Sequence, residues 1–194
     1  MSVNRSYSVS KLDKLLREYG SHVAIPWQQG LAGAQRVIFI VYDKADELRF
    51  RTKVDEFEIT TKTAGHNWKL LDLTNSFPEW MVGLDYRDNY FEAPEDIEGL
   101  LPQFVNSVVT SITDLLTQPD VNDKTVVAIM GIACLFGFAK VSEIVQRTAP
   151  HIRGRLVVFF PGEYENNNYR LLDARDGWNY LAVPITAHSE VLEG

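Results

Sequence analysis

Three runs in this chain are apolar almost without interruption: Arg36-Val-Ile-Phe-Ile-Val-Tyr-Asp43, Thr125-Val-Val-Ala-Ile-Met-Gly131 and Arg155-Leu-Val-Val-Phe-Phe160. A strand with one solvent face alternates apolar and polar residues. A β-branched run that does not alternate is buried on both faces. Such strands need helices on both sides of their sheet, and the intervening segments can supply them. Between Ala45 and Ala64, Phe50, Val54, Phe57 and Thr61 recur at three- and four-residue spacing, and Gly65 stands where a helix would stop. Trp68 to Thr74 reads as a further strand, so Arg36–Thr74 has the form of a β-α-β crossover with parallel strands and a right-handed connection. Four strands alternating with helices predict a three-layer, Rossmann-like α/β sandwich with a mostly parallel sheet. Strand order cannot be read from this pattern.

Ser76 to Leu84 is a short amphipathic segment, followed by a loop rich in acids and aromatics, Asp85 to Glu95. The next helix is strongly periodic, with Ile97, Leu101, Phe104, Val108, Ile112 and Leu115 on one face. Pro102 inside it should kink the helix or restart it with Pro102 in the first turn. Phe138 to Thr148 is the helix before the Arg155 strand, which Pro161-Gly162 is expected to close with a turn at positive φ. Tyr169–Leu172 and Tyr180–Ile185 then read as two short edge strands, a C-terminal edge hairpin. Glu165–Asn168 and Asp173–Gly177 are the turns around them. Lys11–Tyr19 is a short helix with Ser10 as N-cap. The expected organisation is an N-terminal helix and lead-in over 1–35, one α/β domain over 36–186 and a tail over 187–194.

Composition narrows the function classes. With 19 Lys and Arg against 26 Asp and Glu, the 194-residue chain carries a formal charge of −7. That balance does not favour the basic field needed for direct nucleic-acid binding. No window reaches the length of a membrane span, and Met1–Ser10 is polar, with no apolar leader, so no membrane association is expected. The single cysteine, Cys134, excludes a disulfide framework and fits a reducing, cytoplasmic setting.

In open α/β sheets ligands sit outside the carboxyl ends of the strands. That edge should collect Asp43, Asn75, Ser76, Gly131 and Pro161-Gly162-Glu163. The turn Gly131-Ile-Ala-Cys-Leu-Phe-Gly137-Phe-Ala-Lys140 has the context of a phosphate-binding loop. It lacks the glycine spacing and the Lys-Ser/Thr pair, and it puts Leu135 and Phe136 where backbone must approach phosphate. A tight turn packed by Leu135 and Phe136 is the plainer reading. Cys134 lies at a helix N-terminus, which lowers a thiol pKa, yet none of the four histidines stands in a recognisable partner motif. Asp43 and Asp72 are expected on neighbouring strands, with Asp43 placed to cap the helix after it. No spacing supports a metal site, and no cofactor is expected. Tyr86, Arg87, Tyr90 and Phe91, in the loop Asp85–Glu92, are of the residue types that dominate protein interfaces, and a surface loop that tucks its rings onto the core is an equal reading.

The last third is the most distinctive. Leu156-Val-Val-Phe-Phe-Pro-Gly-Glu-Tyr164 is followed by Tyr169-Arg-Leu-Leu172 and Asn179-Tyr-Leu-Ala-Val-Pro184. This order resembles the C-terminal signature of the BrxB family of BREX (bacteriophage exclusion) phage-defence systems. There, an apolar strand ends in Phe-Tyr-Pro-Gly, and a short Leu-rich strand and Asn-Tyr-Tyr-Arg follow. The family also has a Gly-rich turn leading into an Arg-Ser-His-Glu-Leu helix, which Gly131–Gly137 and Lys140-Val-Ser-Glu-Ile144 match loosely. Phe160, Leu181-Ala182 and Lys140 stand where the family has Tyr, Tyr-Arg and Arg. The resemblance spans roughly residues 36 to 185. It implies a cytoplasmic, non-catalytic assembly component that docks onto other BREX operon proteins, with PglZ, of the alkaline-phosphatase superfamily, as the named partner. Contacts are expected from Pro161, Gly162, Glu163, Tyr164 and Tyr180, and from Tyr86 to Phe91. The competing reading is an enzyme or nucleotide-binding protein that uses Asp43, Gly131, Lys140 and Glu163 around a strand-end crevice.

Overall fold

The structure is a computed structural model and describes residues 10–28, 30–166, 168–172, 174–175 and 182–187. Its elements in chain order begin with α1 (Lys11–Ala24), β1 (Val37–Tyr42), α2 (Glu47–Arg51), α3 (Val54–Thr63) and β2 (Asn67–Asp72). Then come α4 (Ser76–Val82), α5 (Arg87–Glu92), α6 (Leu101–Leu116), β3 (Thr125–Met130) and α7 (Val141–Thr148). The chain continues with β4 (Arg155–Glu165), β5 (Asn168–Leu171), β6 (Ala174–Arg175) and β7 (Val183–Thr186). The main sheet runs β2-β3-β4-β1-β7, and every pair along it is parallel. Helices cover both faces, so the expected three-layer α/β architecture is present.

The uninterrupted apolar runs take the inner positions. All six residues of β1 and all six of β3 are buried, as are the first eight of β4. Their side chains alternate between two cores. Val37, Phe39, Val41, Ile129, Val158 and Phe160 face α6 and α7. Ile38, Ile40, Tyr42, Val126, Val157 and Phe159 face α1, α2 and α3. On that second face Phe50 stacks on Tyr42 with centroids 3.9 Å apart, and Phe50 and Phe57 meet Phe159 edge-on. Leu15 and Tyr19 bring α1 into the same core, and the Tyr19 hydroxyl hydrogen-bonds Thr61 of α3. The N-terminal helix thus packs into the same core as the sheet, with Ser10 capping it as expected.

Several expectations change in detail. β1 and β2 are parallel but not adjacent, because β3 and β4 lie between them. The helical stretch after β1 breaks at Thr52–Lys53 into α2 and α3. Pro102 does restart a helix: a 3-10 segment, Pro94–Leu100, ends and α6 begins with Pro102 in its first turn. The two C-terminal strands part company. β5 pairs antiparallel with the end of β4, making the edge hairpin, while β7 lies parallel beside β1. Asn166, at φ 51°, begins the hairpin turn, a conformation Asn tolerates.

Pro161-Gly162 does not close β4. The strand continues through it, leaving the parallel sheet and entering the hairpin, where Gly162 pairs with Leu171. Gly162 is not among the positive-φ glycines; it is needed for close approach instead. A Cβ there would lie 2.0 Å from the Arg170 carbonyl oxygen, a backbone atom that cannot step aside. Gly162→Ala is therefore expected to destabilise the protein by on the order of 1–3 kcal/mol. Gly99→Ala, where a Cβ meets nothing within 4 Å, should change stability by no more than about 0.5 kcal/mol. Thermal melts of the two variants check this, and equal melting points would refute the close-approach argument.

Candidate functional site at the carboxyl ends of the strands

The carboxyl ends of β1, β4 and β7 surround a cavity of about 300 Å³, bordered on its other side by the start of α1. Asp43, Lys44 and Asp46 come to it from the turn after β1, Glu163 and Glu165 from the hairpin, and Lys11 from α1. Asp43 accepts a hydrogen bond from the Ala45 amide at 2.9 Å, so its carboxylate caps the 3-10 turn Lys44–Asp46, the capping role expected for it. Glu163 lies 3.7 Å from the Arg170 guanidinium across the hairpin. The four crevice candidates do not converge. Asp43 and Glu163 share this cavity, Gly131 sits at the end of β3, and Lys140 lines a different groove beside α6. Asp43 and Asp72 do not meet as neighbours, since two strands separate theirs.

A polar network that was not anticipated spans the same edge. The Tyr42 hydroxyl donates to Glu47, and Arg51 Nε donates to Glu47 at 2.8 Å. The other guanidinium nitrogens reach Asp72 at 3.4 Å and the Thr74 hydroxyl at 2.8 Å. Asp72 also accepts from the Thr74 amide at 2.9 Å. Burial raises the Asp72 carboxyl, but its bonds from Thr74 and the Arg51 charge outweigh that and hold it below the ordinary range. Burial and then the Glu47 bond push the Tyr42 phenol far up, so it stays protonated. Each of the three Arg51 nitrogens has an acceptor, two of them carboxylates. The guanidinium thus ties the crossover helix to the end of β2 and is not left open to a phosphate. Two signals in the sequence pointed here: Glu47 and Arg51 at i, i+4 on one helix, and the Asp72-x-Thr74 turn.

At the end of β3, Gly131 has φ 76°, and a Cβ there would lie 2.5 Å from the Thr74 amide nitrogen. Glycine is required on both counts. The following turn is a single 3-10 turn, Ile132–Leu135, and α7 begins only at Val141. No helix N-terminus therefore acts on Cys134. Its thiol donates to the Leu73 carbonyl at 3.0 Å and lies 3.4 Å from the Ser76 hydroxyl. Burial pushes the thiol pKa up, contrary to the expectation from a helix start. Leu135 packs in the core as expected, whereas Phe136 is 42% exposed.

The partner-contact candidates divide by exposure. Pro161 and Gly162 are buried in β4 and present no surface. Glu163 is exposed, and Tyr164 is half-buried with its ring 4.6 Å from that of Tyr169. Tyr180 lies outside the described residues. Tyr86 is 79% and Phe91 72% exposed, Arg87 is exposed and Tyr90 half-buried. Tyr86 sits in the left-handed region at φ 62°, an uncommon conformation for an aromatic residue. Among the described residues no group of three or more His, Cys, Asp or Glu side chains could hold a metal ion. No helix among them is long and apolar enough to cross a membrane.

A second titratable cluster lies at the amino end of β4. The Arg155 guanidinium stands 4.7 Å over the Trp27 ring, and His66 stacks on Trp27 at 3.8 Å. Burial, then the Arg155 charge, hold the His22 pKa below its ordinary 6.5. An unfolded chain therefore takes up this proton at a higher pH than the folded one. The stability associated with neutral His22 is fully present above pH 6.5 and is lost as pH falls below it through the lowered folded value. His22→Gln should flatten that part of a denaturation-midpoint-versus-pH curve, and an unchanged slope would refute the assignment.

Cys134 should react slowly. In the folded protein a disulfide reagent at neutral pH is expected to label it at least about tenfold more slowly than in denaturant. Cys134→Ala should cost about 1 kcal/mol, as a lost small hydrophobe with one hydrogen bond. Rapid labelling of the folded protein would show an activated thiol instead.

No protein-family model, no curated protein and no solved structure matches this chain, so the reading of its site rests on its own residues and geometry.

Proposed function

We propose that this chain is a non-catalytic assembly component of a BREX-type anti-phage defence complex, located in the cytoplasm and acting through protein–protein contacts. The ordered C-terminal signature supports the family reading. The observation that carries the mode of action is the exposure of large apolar side chains from the end of α4 into α5. Val82, Tyr86 and Phe91 are 67%, 79% and 72% exposed within ten residues of chain. Aromatic residues with an adjacent Arg are the side chains that anchor interfaces. The buried Pro161-Gly162 segment acts indirectly in this reading, by fixing where the hairpin leaves the sheet. The reactive candidates favour the same view: Cys134 is buried with a raised pKa, and Arg51 is held by Glu47, Asp72 and Thr74.

The alternative, a small-molecule or nucleotide-binding enzyme, draws on the position of the 300 Å³ cavity at the carboxyl ends of β1, β4 and β7. Asp43, Asp46, Glu163 and Glu165 around that cavity outnumber Lys11 and Lys44, which disfavours a phosphate. A calorimetric titration with Mg-ATP is expected to show no binding in the micromolar range; a micromolar isotherm would favour the enzyme reading.

The assembly reading is tested by affinity purification of the chain co-expressed with PglZ and the other operon products. Wild type should retain a partner. Tyr86→Ser with Phe91→Ser should lose it, while shifting thermal stability by no more than about 0.5 kcal/mol, since both rings are exposed. Retention by the folded double variant would move the interface off this surface. A wild-type chain that retained none of the operon products would overturn the reading.

A further inference from the structure

The amino ends of the strands gather charge of the sign opposite to that of the whole chain. The segments that enter the sheet there are residues 25–36 before β1, 64–66 before β2, 117–124 before β3 and 149–154 before β4. With Arg155, the first residue of β4, they carry Arg36, Lys124, Arg153 and Arg155 against Asp120 and Asp123. Asp120 is taken up by Lys69 of β2 at 2.6 Å. The chain as a whole has a charge of −7.

The three arginines at this end are held without a carboxylate. Arg36 donates to the Leu31, Ile152 and Arg153 carbonyls at 2.8–2.9 Å. Arg153 donates to the Val121 carbonyl at 3.0 Å, and Arg155 to the Gly154 carbonyl at 3.1 Å. Every one of these acceptors is neutral. Among the described residues none of the three arginines has an ion pair, and neither Asp123 nor Glu18 of α1 supplies one. The arginines of α2, α5, α7 and β5, by contrast, each lie within 3.7 Å of a carboxylate.

Arg155 is the most exacting of the three. It is buried, and the register that sets Val37 opposite Leu156 brings Arg36 beside it. Its guanidinium is fixed over the Trp27 ring, on which His66 is stacked. Nη1 takes the Gly154 carbonyl, while Nε and Nη2 have no acceptor among the described residues and are not sealed from solvent. Burial and then the Arg36 charge hold the Arg155 pKa below its ordinary value. A buried cation is normally paired, and this one meets a second cation instead.

We infer that the amino end of β4 binds a phosphate-type dianion, which takes the open Nε–Nη2 edge of Arg155 beside Arg36. This goes beyond the proposed assembly role and does not depend on it. The planar fork of a guanidinium matches two oxygens of a tetrahedral oxyanion. Two adjacent cations favour a double charge over the single charge of a carboxylate. Only the edge of Arg155 reaches solvent, so a compact anion fits it better than an extended polyanion.

The test follows thermal melts of the whole chain at pH 7.5 in about 10 mM inorganic phosphate, against sodium chloride and sodium acetate at matched ionic strength. For a dissociation constant of about 1 mM, phosphate should raise the melting point by roughly 3–6 °C over chloride, and acetate by less than about 1 °C. Arg155→Gln should reduce the phosphate effect to less than about 1 °C. Arg49→Gln, an exposed site on α2 with the same change in charge, should keep all of it. In the wild type the imidazole of His22, on which the Arg155 charge acts, should titrate closer to 6.5 in about 10 mM sulfate than in chloride, read by NMR. If Arg155→Gln does not fold, that titration decides alone. An unmoved His22 midpoint, or an equal phosphate effect in a folded Arg155→Gln, would overturn the inference, the latter by showing general salt exclusion. An acetate effect equal to that of phosphate would overturn the dianion. A short oligothymidylate that binds more tightly than phosphate, and is lost in Arg155→Gln, would replace the compact anion by a nucleic-acid strand.

Discussion

The parallel pairing of β1 with β4 is the constraint on which the rest depends. Six consecutive residues pair, from Val37 opposite Leu156 to Tyr42 opposite Pro161, and every side chain involved is buried. A pair with no solvent face can exist only if both sides are covered, and that demand recruits α1, α2 and α3 to one face and α6 and α7 to the other. It also sets the position of the edges. β3 joins the free side of β4 and β7 the free side of β1, leaving β2 outermost, where Asn67, Lys69 and Asp72 can reach water.

β4 is also where the fold changes character. For its first half it is an inner strand of a parallel sheet; beyond Pro161 it is one arm of an antiparallel hairpin. Proline cannot donate to a ladder, and glycine admits the Arg170 carbonyl to a distance no side chain would permit. These two residues carry the strand from one pairing partner to another. The hairpin they launch places Glu163 and Tyr164 beside Asp43, and so builds one wall of the carboxyl-end cavity.

The chemistry at that end is dominated by groups already bound to one another. Arg51 is held by two carboxylates and a hydroxyl, Asp43 by the turn it caps, and the Cys134 thiol by a backbone carbonyl. The flank formed by α5 and the segment leading into α6 instead carries side chains open to solvent. There the Tyr86 and Phe91 rings are exposed, as are the carboxylates between residues 85 and 98.

The sequence by itself determined the class of fold. Uninterrupted runs such as Val37–Tyr42 and Thr125–Met130 must be buried on both sides whatever surrounds them, and Ser10, Pro102 and Gly131 mark local events within a few residues of chain. The exposure of Tyr86 and Phe91 was not legible in the same way: a loop that tucks its rings onto the core fits the sequence as well as one that presents them, and the structure exposes both rings. Only the tertiary structure decided what depends on partners distant in the chain. Strand order separated Asp43 from Asp72, because which strands pair is settled by packing across the whole sheet and not by adjacency in sequence. Arg51 reaches Thr74 only because α2 crosses the strand ends. Gly162 is needed for an approach by residue 170 and not for its own dihedral angle, a requirement that exists only once the hairpin has closed. Cys134 keeps its proton because the turn around it is one short 3-10 turn, the thiol donates to the Leu73 carbonyl, and burial there disfavours the thiolate.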